Sequence, residues 1–243
     1  MKFPDLSKYP YRIELHAHTS PVSPCSAMTP IDLVRTYKRA GADALVITNH
    51  FIKTVFREGM SREEAIAYYL ADYRAAREEG ERLGVRVLLG AEIRFPENLN
   101  DYLVYGIGEG DIGALYDSLG GDLADFYTAY SNEHRVIAQA HPFRKNMILA
   151  DTAYLDGIEV FNLHPGHNSR ISLAAVHAQR SGKLVLGGSD YHRATDFMEE
   201  GSAGVCFLRA PRLPENSYAL ADLLRSRDYL FEIGSAIVFP YSE

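Results

Sequence analysis

Ile13-Glu14-Leu15-His16-Ala17-His18-Thr19 is the stretch on which the reading of this chain turns. It is a mostly apolar run that ends in a His-x-His pair and gives way at once to Ser20 and Pro21. In an extended strand, side chains two apart point to the same face, so His16 and His18 project both imidazoles in one direction. Two neutral imidazoles converging at a strand end suit a borderline divalent ion such as zinc, manganese or iron. So short a motif also arises by chance, and its meaning depends on what the rest of the chain sets beside it.

Outward from the pair, short apolar strands alternate with helices. A Pro- and Ser-rich loop leads to Thr29-Pro30, an N-cap followed by proline at the first helical position, and that helix stops at Gly41. Strand 44–48 runs into Asn49-His50. Ser61-Arg62-Glu63-Glu64 has the form of a capping box and opens a long helix ending near Gly84. Strand 85–89 leads to Gly90-Ala91-Glu92, and Asp101 opens strand 101–105. A helical stretch over 112–132 is interrupted at Gly120-Gly121. Strand 135–139 precedes Ala140-His141-Pro142, and strand 157–161 precedes a loop to His167. Helix 169–180 and strand 183–186 end in Gly187-Gly188-Ser189-Asp190-Tyr191-His192. A strand at Val205, a helix over 217–227 and an apolar segment near Ile237 complete the chain. Such alternation predicts an α/β fold with a parallel sheet and helical crossovers, and the number of units favours a barrel over an open sheet. No linker, repeat or low-complexity stretch divides the chain, so residues 1–243 read as one domain.

A hydrophobic share of 47% supplies a sizeable core. The net charge of −7 and the lack of a Lys/Arg block argue against strong affinity for a nucleic-acid backbone, though not against a small phosphorylated ligand held by a few arginines. No run approaches the roughly 18 apolar residues of a membrane span, and no leader is expected at the N-terminus. Two cysteines make no disulfide framework, which points to the cytoplasm. Cys206 reads as a small core residue.

Further ligand-type residues fall at the same structural place. His50, Glu92, His141, Asp190 and His192 each lie at or just past a strand's C-terminal end, and Asp101 opens a strand. In parallel α/β folds that rim is where the βα loops converge and active sites form. Several histidines with two or three carboxylates exceed what one four-coordinate ion can use. Two or three divalent ions (Zn, Mn or Fe) are therefore expected, with Glu92 as the bridging carboxylate. Clustered ions suit phosphate-ester hydrolysis, because they acidify water and neutralise phosphoryl charge.

His16-x-His18-Thr19, Thr48-Asn49-His50, Gly90-Ala91-Glu92, Ala140-His141-Pro142-Phe143-Arg144 and Gly188-Ser189-Asp190-Tyr191-His192 together resemble the PHP (polymerase and histidinol phosphatase) superfamily. The resemblance covers about residues 11–195 and implies a distorted (β/α)7 TIM-like barrel with a two- or three-metal site. It implies His16, His18, Glu92 and Asp190 on a first ion, Glu92 and His141 on a second, and His50 and His192 on a third. This chain departs from the family pattern in three places. Asn49 stands where many relatives have Asp, which is expected to alter orientation and not ligation. Asp101 stands where a family histidine opens a strand, and is either a harder ligand or an ordinary strand-start carboxylate. Cys25 lies where a His or Asp ligand commonly enters, and is either a thiolate ligand or a free loop cysteine.

Arg144 follows His141 closely enough to grip phosphate oxygens. Arg170 and Arg193 are further candidates for substrate binding, as are His164 and His167, which read equally well as solvated loop residues. His192 is a candidate acid for the leaving oxygen if it is not committed to metal. Glu159 either orients a ligand histidine or is paired within the barrel, and His134 and His177 read as structural. The expected function is hydrolysis of a small phosphate monoester, in the manner of a histidinol phosphatase. A nuclease on the same metal site and a metal-binding domain without turnover are the alternatives. The oligomeric state is left open.

Overall fold

In the computed structural model, which describes residues 5–197 and 204–241, strand β1 (Tyr11–Ala17) buries every side chain from Ile13 onward. Both faces of that strand are covered, so it is central. Residues 1–4, part of the stretch in which no leader was expected, and the extreme ends of the single-domain span lie outside the described residues. The remaining elements follow in order: α1 (Pro30–Ala40), β2 (Ala44–Ile47), β3 (His50–Phe51), α2 (Arg62–Leu83), β4 (Arg86–Leu89), β5 (Ala91–Ile93) and β6 (Tyr102–Tyr105). Then come α3 (Ile112–Ser118), α4 (Leu123–Tyr130), β7 (Val136–Gln139), β8 (Gly157–Asn162), α5 (Ile171–Ser181) and β9 (Leu184–Gly188). β10 (Cys206–Ala210), α6 (Ser217–Ser226), β11 (Leu230–Ile233) and β12 (Ala236–Val238) close the chain.

The helix signals act as anticipated. Thr29 accepts from the Asp32 N–H and Gly41 ends α1 at φ 92, a left-handed conformation glycine adopts without strain. Ser61 and Glu64 form the capping box of α2. The helical stretch over 112–132 is interrupted around Gly120-Gly121 as expected, α3 ending at Ser118 and Asp122 capping α4 by accepting from the Asp125 N–H.

The strands form two six-stranded sheets, β12-β11-β10-β1-β2-β4 and β3-β5-β6-β7-β8-β9. The expectation of an all-parallel sheet is corrected. β1/β2, β2/β4, β3/β5, β7/β8 and β8/β9 pair parallel, but β5/β6, β6/β7, β1/β10, β10/β11 and β11/β12 pair antiparallel. The physical reason is plain at β5–β6: residues 94–101 are too few for a parallel crossover, which needs about a dozen or more.

The chain passes from the first sheet to the second at two breaks, Thr48-Asn49 between β2 and β3 and Gly90 between β4 and β5. A Cβ at Gly90 would meet Val46 Cγ1 at 2.8 Å and Thr48 Cγ2 at 3.0 Å, so this crossing needs glycine. Elsewhere the Asp190 N–H donates to the His16 carbonyl at 3.0 Å, and Ala17 bridges Tyr191. Leu15, Val46, Leu103, Tyr105 and Leu186, drawn from both sheets, share one buried cluster, and the Tyr105 hydroxyl donates across it to the Leu15 carbonyl at 3.0 Å. Full burial of such apolar side chains stabilises by about 1.5–3 kcal/mol each, enough to fix where the strand ends stand.

Candidate metal centre

The centre is built on β1. His16 and His18, both fully buried, bring their Nε2 atoms within 2.9 Å of each other. Asp190 Oδ1 lies 3.5 Å from His16 Nε2 and 3.3 Å from His18 Nε2. Glu92 places Oε1 3.4 Å from His16 Nε2 and Oε2 3.4 Å from His18 Nε2. Four ligand atoms about 2.0–2.1 Å from one tetrahedral ion stand about 3.3 Å apart. The Asp190 separations approach that spacing while the two imidazoles stand closer, and His16, His18 and Asp190 form one ligand group; Glu92 lies beside it, turning a different oxygen to each histidine.

Glu92 also faces outward from this group. Its Oε1 is 3.1 Å from His141 Nε2, and its Oε2 is 2.8 Å from His50 Nδ1. His50 and Glu92 lie inside the short strands β3 and β5 as direct register partners, not in loops after them. Glu92 Oε2 and His50 Nδ1 are buried, and neither finds a hydrogen-bond partner of acceptable geometry. At 2.8 Å the two atoms stand at imidazole–carboxylate hydrogen-bond separation, and a proton on Nδ1 or a cation bound beside both atoms would satisfy them. The rings of His50 and His192 lie 4.6 and 4.8 Å from the His18 ring. Cys25, exposed in its loop, lines the same cavity as His50 and His192, so it stands beside that second group.

Other side chains aim the ligands. Glu159 Oε1 lies 2.7 Å from His16 Nδ1, which leaves Nε2 to face the centre. Its Oε2 accepts the His141 N–H at 2.9 Å and Asn162 Nδ2 at 3.0 Å, so of its two sequence readings the structure shows the orienting contact. Glu14 Oε1 accepts the N–H groups of His16 and Ser189, both at 2.9 Å. Asn49 touches no ligand side chain among its described hydrogen bonds. It holds Thr19 and Ser23, and the Ser23 hydroxyl is 3.3 Å from His18 Nδ1. Asp190 and His192, two residues apart, are not on one side of an extended segment as strand parity alone would place them. Asp190 is left-handed at φ 53, as is His141 at φ 29, and these turns swing the side chains into the centre.

The electrostatics are those of crowded, unscreened charge. Burial pushes the Glu92 and Asp190 carboxyls up, but His16 and its neighbours hold both well below the ordinary range. Burial lowers His16, yet Glu159, Asp190 and Glu92 raise it well above its usual value. His18 is driven down to about 3, chiefly by burial. Desolvation opposes ionisation of Cys25, but hydrogen bonds with His192 and His50 bring its thiol down to about 6.

A cavity of about 760 Å³ opens over the centre, and Arg144, His164, His167, Arg193 and Cys25 line it as the sequence suggested. Arg144 reaches Asp190 Oδ2 at 2.6 Å and Asn162 Oδ1 at 3.0 Å, while its buried Nε has no partner. Arg170 is not among the lining residues; it donates to the Phe143 carbonyl at 3.3 Å. Asp101 is present, but both of its oxygens are engaged by Arg94, each at 2.8 Å. His134 is exposed against Asp222, and His177 packs edge-on to Phe143, in keeping with structural roles. Arg94, Asn162 and Glu14 were not singled out from the sequence. Arg94 had a readable signal, since it lies two residues past Glu92 and so on its side of the strand.

Comparison with known proteins bears on the family and the fold. The family model described as PHP domain matches residues 14–233. DNA polymerase III PolC-type from Bacillus subtilis is 27% identical over 148 residues, and that from Bacillus cereus 25% over 151. Each match covers 52% of this chain but only 9% of the polymerase. Among solved structures, a two-domain protein of Bacteroides vulgatus containing a predicted PHP-like metal-dependent phosphoesterase superposes with a TM-score of 0.65 at 19% identity, over 97% of this chain and 68% of that one. PsfC from Pseudomonas syringae gives a TM-score of 0.57 at 18% identity, over 88% and 87%.

Proposed function

Because the chain belongs to the PHP domain family, we propose that it is a metal-dependent phosphoesterase hydrolysing a small phosphate monoester. The observation that carries this reading is the ligand group of His16, His18 and Asp190 with Glu92 and further donors beside it, under a cavity rimmed by Arg144, Lys145 and Arg193. We read the two sheets as the halves of a distorted (β/α)7 barrel. His16, His18, Glu92 and Asp190 would hold one ion, and His50 and His192 with Cys25 another. Divalent ions there supply Lewis acidity toward phosphoryl oxygens and lower the pKa of water.

The chain's own groups do the rest. Arg144, anchored on Asp190, presents fixed positive charge to phosphoryl oxygens at the cavity wall. His164, half-buried and lowered to about 4, chiefly by burial, is a neutral imidazole at neutral pH that lies beside His192. It can orient a leaving alcohol or hold a water there. The chain's net charge of −7 favours a small ligand over a polyanion.

A nuclease reading has one specific support, the similarity to PolC-type DNA polymerase III. No helix among the described residues is long and apolar enough to cross a membrane, and the cytoplasm is the compartment we propose. The test is turnover of p-nitrophenyl phosphate against bis(p-nitrophenyl) phosphate by chelator-stripped protein reloaded with Mn²⁺ or Zn²⁺. Metal-restored cleavage of the monoester is expected. Preference for the diester would replace this reading with the nuclease, and no cleavage of either by metal-loaded protein would remove both.

A further inference from the structure

Two aspartates in the cavity are each held by an arginine, but not in the same way. Asp190 gives Oδ2 to Arg144 and Asn162 and keeps Oδ1 directed at His16 and His18. Asp101 stands within 4.8 Å of ligand atoms of His50 and Glu92, yet both of its oxygens are engaged by an arginine. Arg94 donates from Nε to Oδ1 and from Nη2 to Oδ2, both at 2.8 Å, the side-on fit of guanidinium to carboxylate. The pair is well inside the protein, with the Asp101 side chain 4% exposed. Asp101 Oδ2 stands 4.0 Å from His141 Nε2, which itself contacts Glu92 Oε1 at 3.1 Å. The Arg94 charge therefore enters the corner where Glu92, His141 and Asp101 converge.

We propose that Arg94 is a built-in cation standing in for an ion at that corner, so that the centre holds two metal ions and not three. The proposal rests on reading the centre as metal-binding. A dication bound by Asp101 would have to displace one arm of the guanidinium or use a carboxylate already paired. It would also sit close to a fixed positive charge in a poorly screened site. At the first position an arginine is also present, but Arg144 takes only Asp190 Oδ2 and leaves Oδ1 facing His16 and His18. The His16, His18, Glu92 and Asp190 atoms face one another without an intervening arginine. Glu92 Oε2 and His50 Nδ1 lack partners beside His192 and Cys25. Of the ligand-type residues, only Asp101 has both donor atoms taken by a side chain that cannot be deprotonated. His141 is then left to donate to Glu92, with Glu159 bracing its backbone.

Metal counting tests this directly. The chain is stripped with chelator, loaded with excess Mn²⁺, desalted and analysed for metal per protein. Wild type is expected to hold two ions and Asp101→Asn the same two. Arg94→Met is expected to gain one, and Arg94→Met with Asp101→Asn to return to two. A wild type holding three ions that falls to two in Asp101→Asn would overturn the proposal and leave the metal-binding reading intact. So would an Arg94→Met protein that folds and still holds two. If Arg94→Met does not fold, the wild-type and Asp101→Asn counts decide. A wild type holding none would remove the metal-binding reading and this proposal with it.

Discussion

Replacing Glu159 with glutamine tests how the centre is aimed, with almost no change of shape. The carboxylate can only accept, so it takes the His16 Nδ1–H at 2.7 Å, the His141 N–H at 2.9 Å and Asn162 Nδ2 at 3.0 Å. A glutamine has one acceptor oxygen and one NH₂ group. If its oxygen stays on His16, the NH₂ points at the His141 N–H and the Asn162 amide, donor against donor. If it flips, the NH₂ faces His16 Nδ1 and drives the ring proton onto Nε2, the atom 2.9 Å from His18 Nε2. Either arrangement spoils a ligand. Losing such an orienting partner costs about 10–100-fold in metal affinity, or about 1.4–2.7 kcal/mol. The assay is titration of metal-free protein with Zn²⁺ against a competing chelator, alongside the Tm of the metal-free variant. Weaker binding with a largely kept metal-free Tm is expected. Affinity within twofold of wild type would show that Glu159 does not aim the centre.

Glu92→Gln should lose metal and nearly all hydrolysis while metal-free circular dichroism is kept, since the amide offers one neutral acceptor where two charged oxygens face four histidines. Arg144→Ala should weaken inhibition by inorganic phosphate by one to two orders of magnitude, following the roughly 1.5–3 kcal/mol of a charge-assisted bond. Metal content should persist in that variant, because Asn162 Nδ2 still holds Asp190 Oδ2. Gly188→Ala should lower both Tm and metal affinity, by about 1–3 kcal/mol in stability. Its new Cβ meets His16 Cβ and comes within 2.9 Å of Glu14 Oε1. The pH dependence has a defined sign at Glu79, which Arg82 and Arg35 bring from 4.5 to about 2. Its contribution is complete above pH 4.5 and is lost as pH falls from there toward 2, so Glu79→Gln should flatten the acid limb of a Tm-versus-pH curve.

The two histidines of β1 were legible because strand parity needs no tertiary information. The same holds for Glu92, His141 and Asp190, each a polar residue abutting an apolar run. Strand direction was not legible from alternation alone. A helix intervenes between β10 and β11, and two between β6 and β7, yet both pairs run antiparallel. Short connections carried the usable signal, eight residues between β5 and β6 and two between β11 and β12. Asp101 was placed in the right corner by register, but its partner was not foreseeable. Whether a carboxylate meets an ion or a guanidinium depends on which side chain the neighbouring strand delivers, and parity narrows that choice without making it.

The left-handed backbone at His141 and Asp190 sets the centre against the chain's own backbone preference. Glycine takes such φ values freely, whereas a residue with a Cβ is strained there by on the order of 1 kcal/mol or more. On backbone grounds alone both positions would carry glycine. At Asp190 the pull of His16 and the ion pair with Arg144 at 2.6 Å offset that strain, since against the cost of burial they hold its carboxyl well below the ordinary range. Asp190→Gly therefore removes backbone strain but leaves Arg144 and His16 without their anion, and the metal-free variant should melt earlier than wild type.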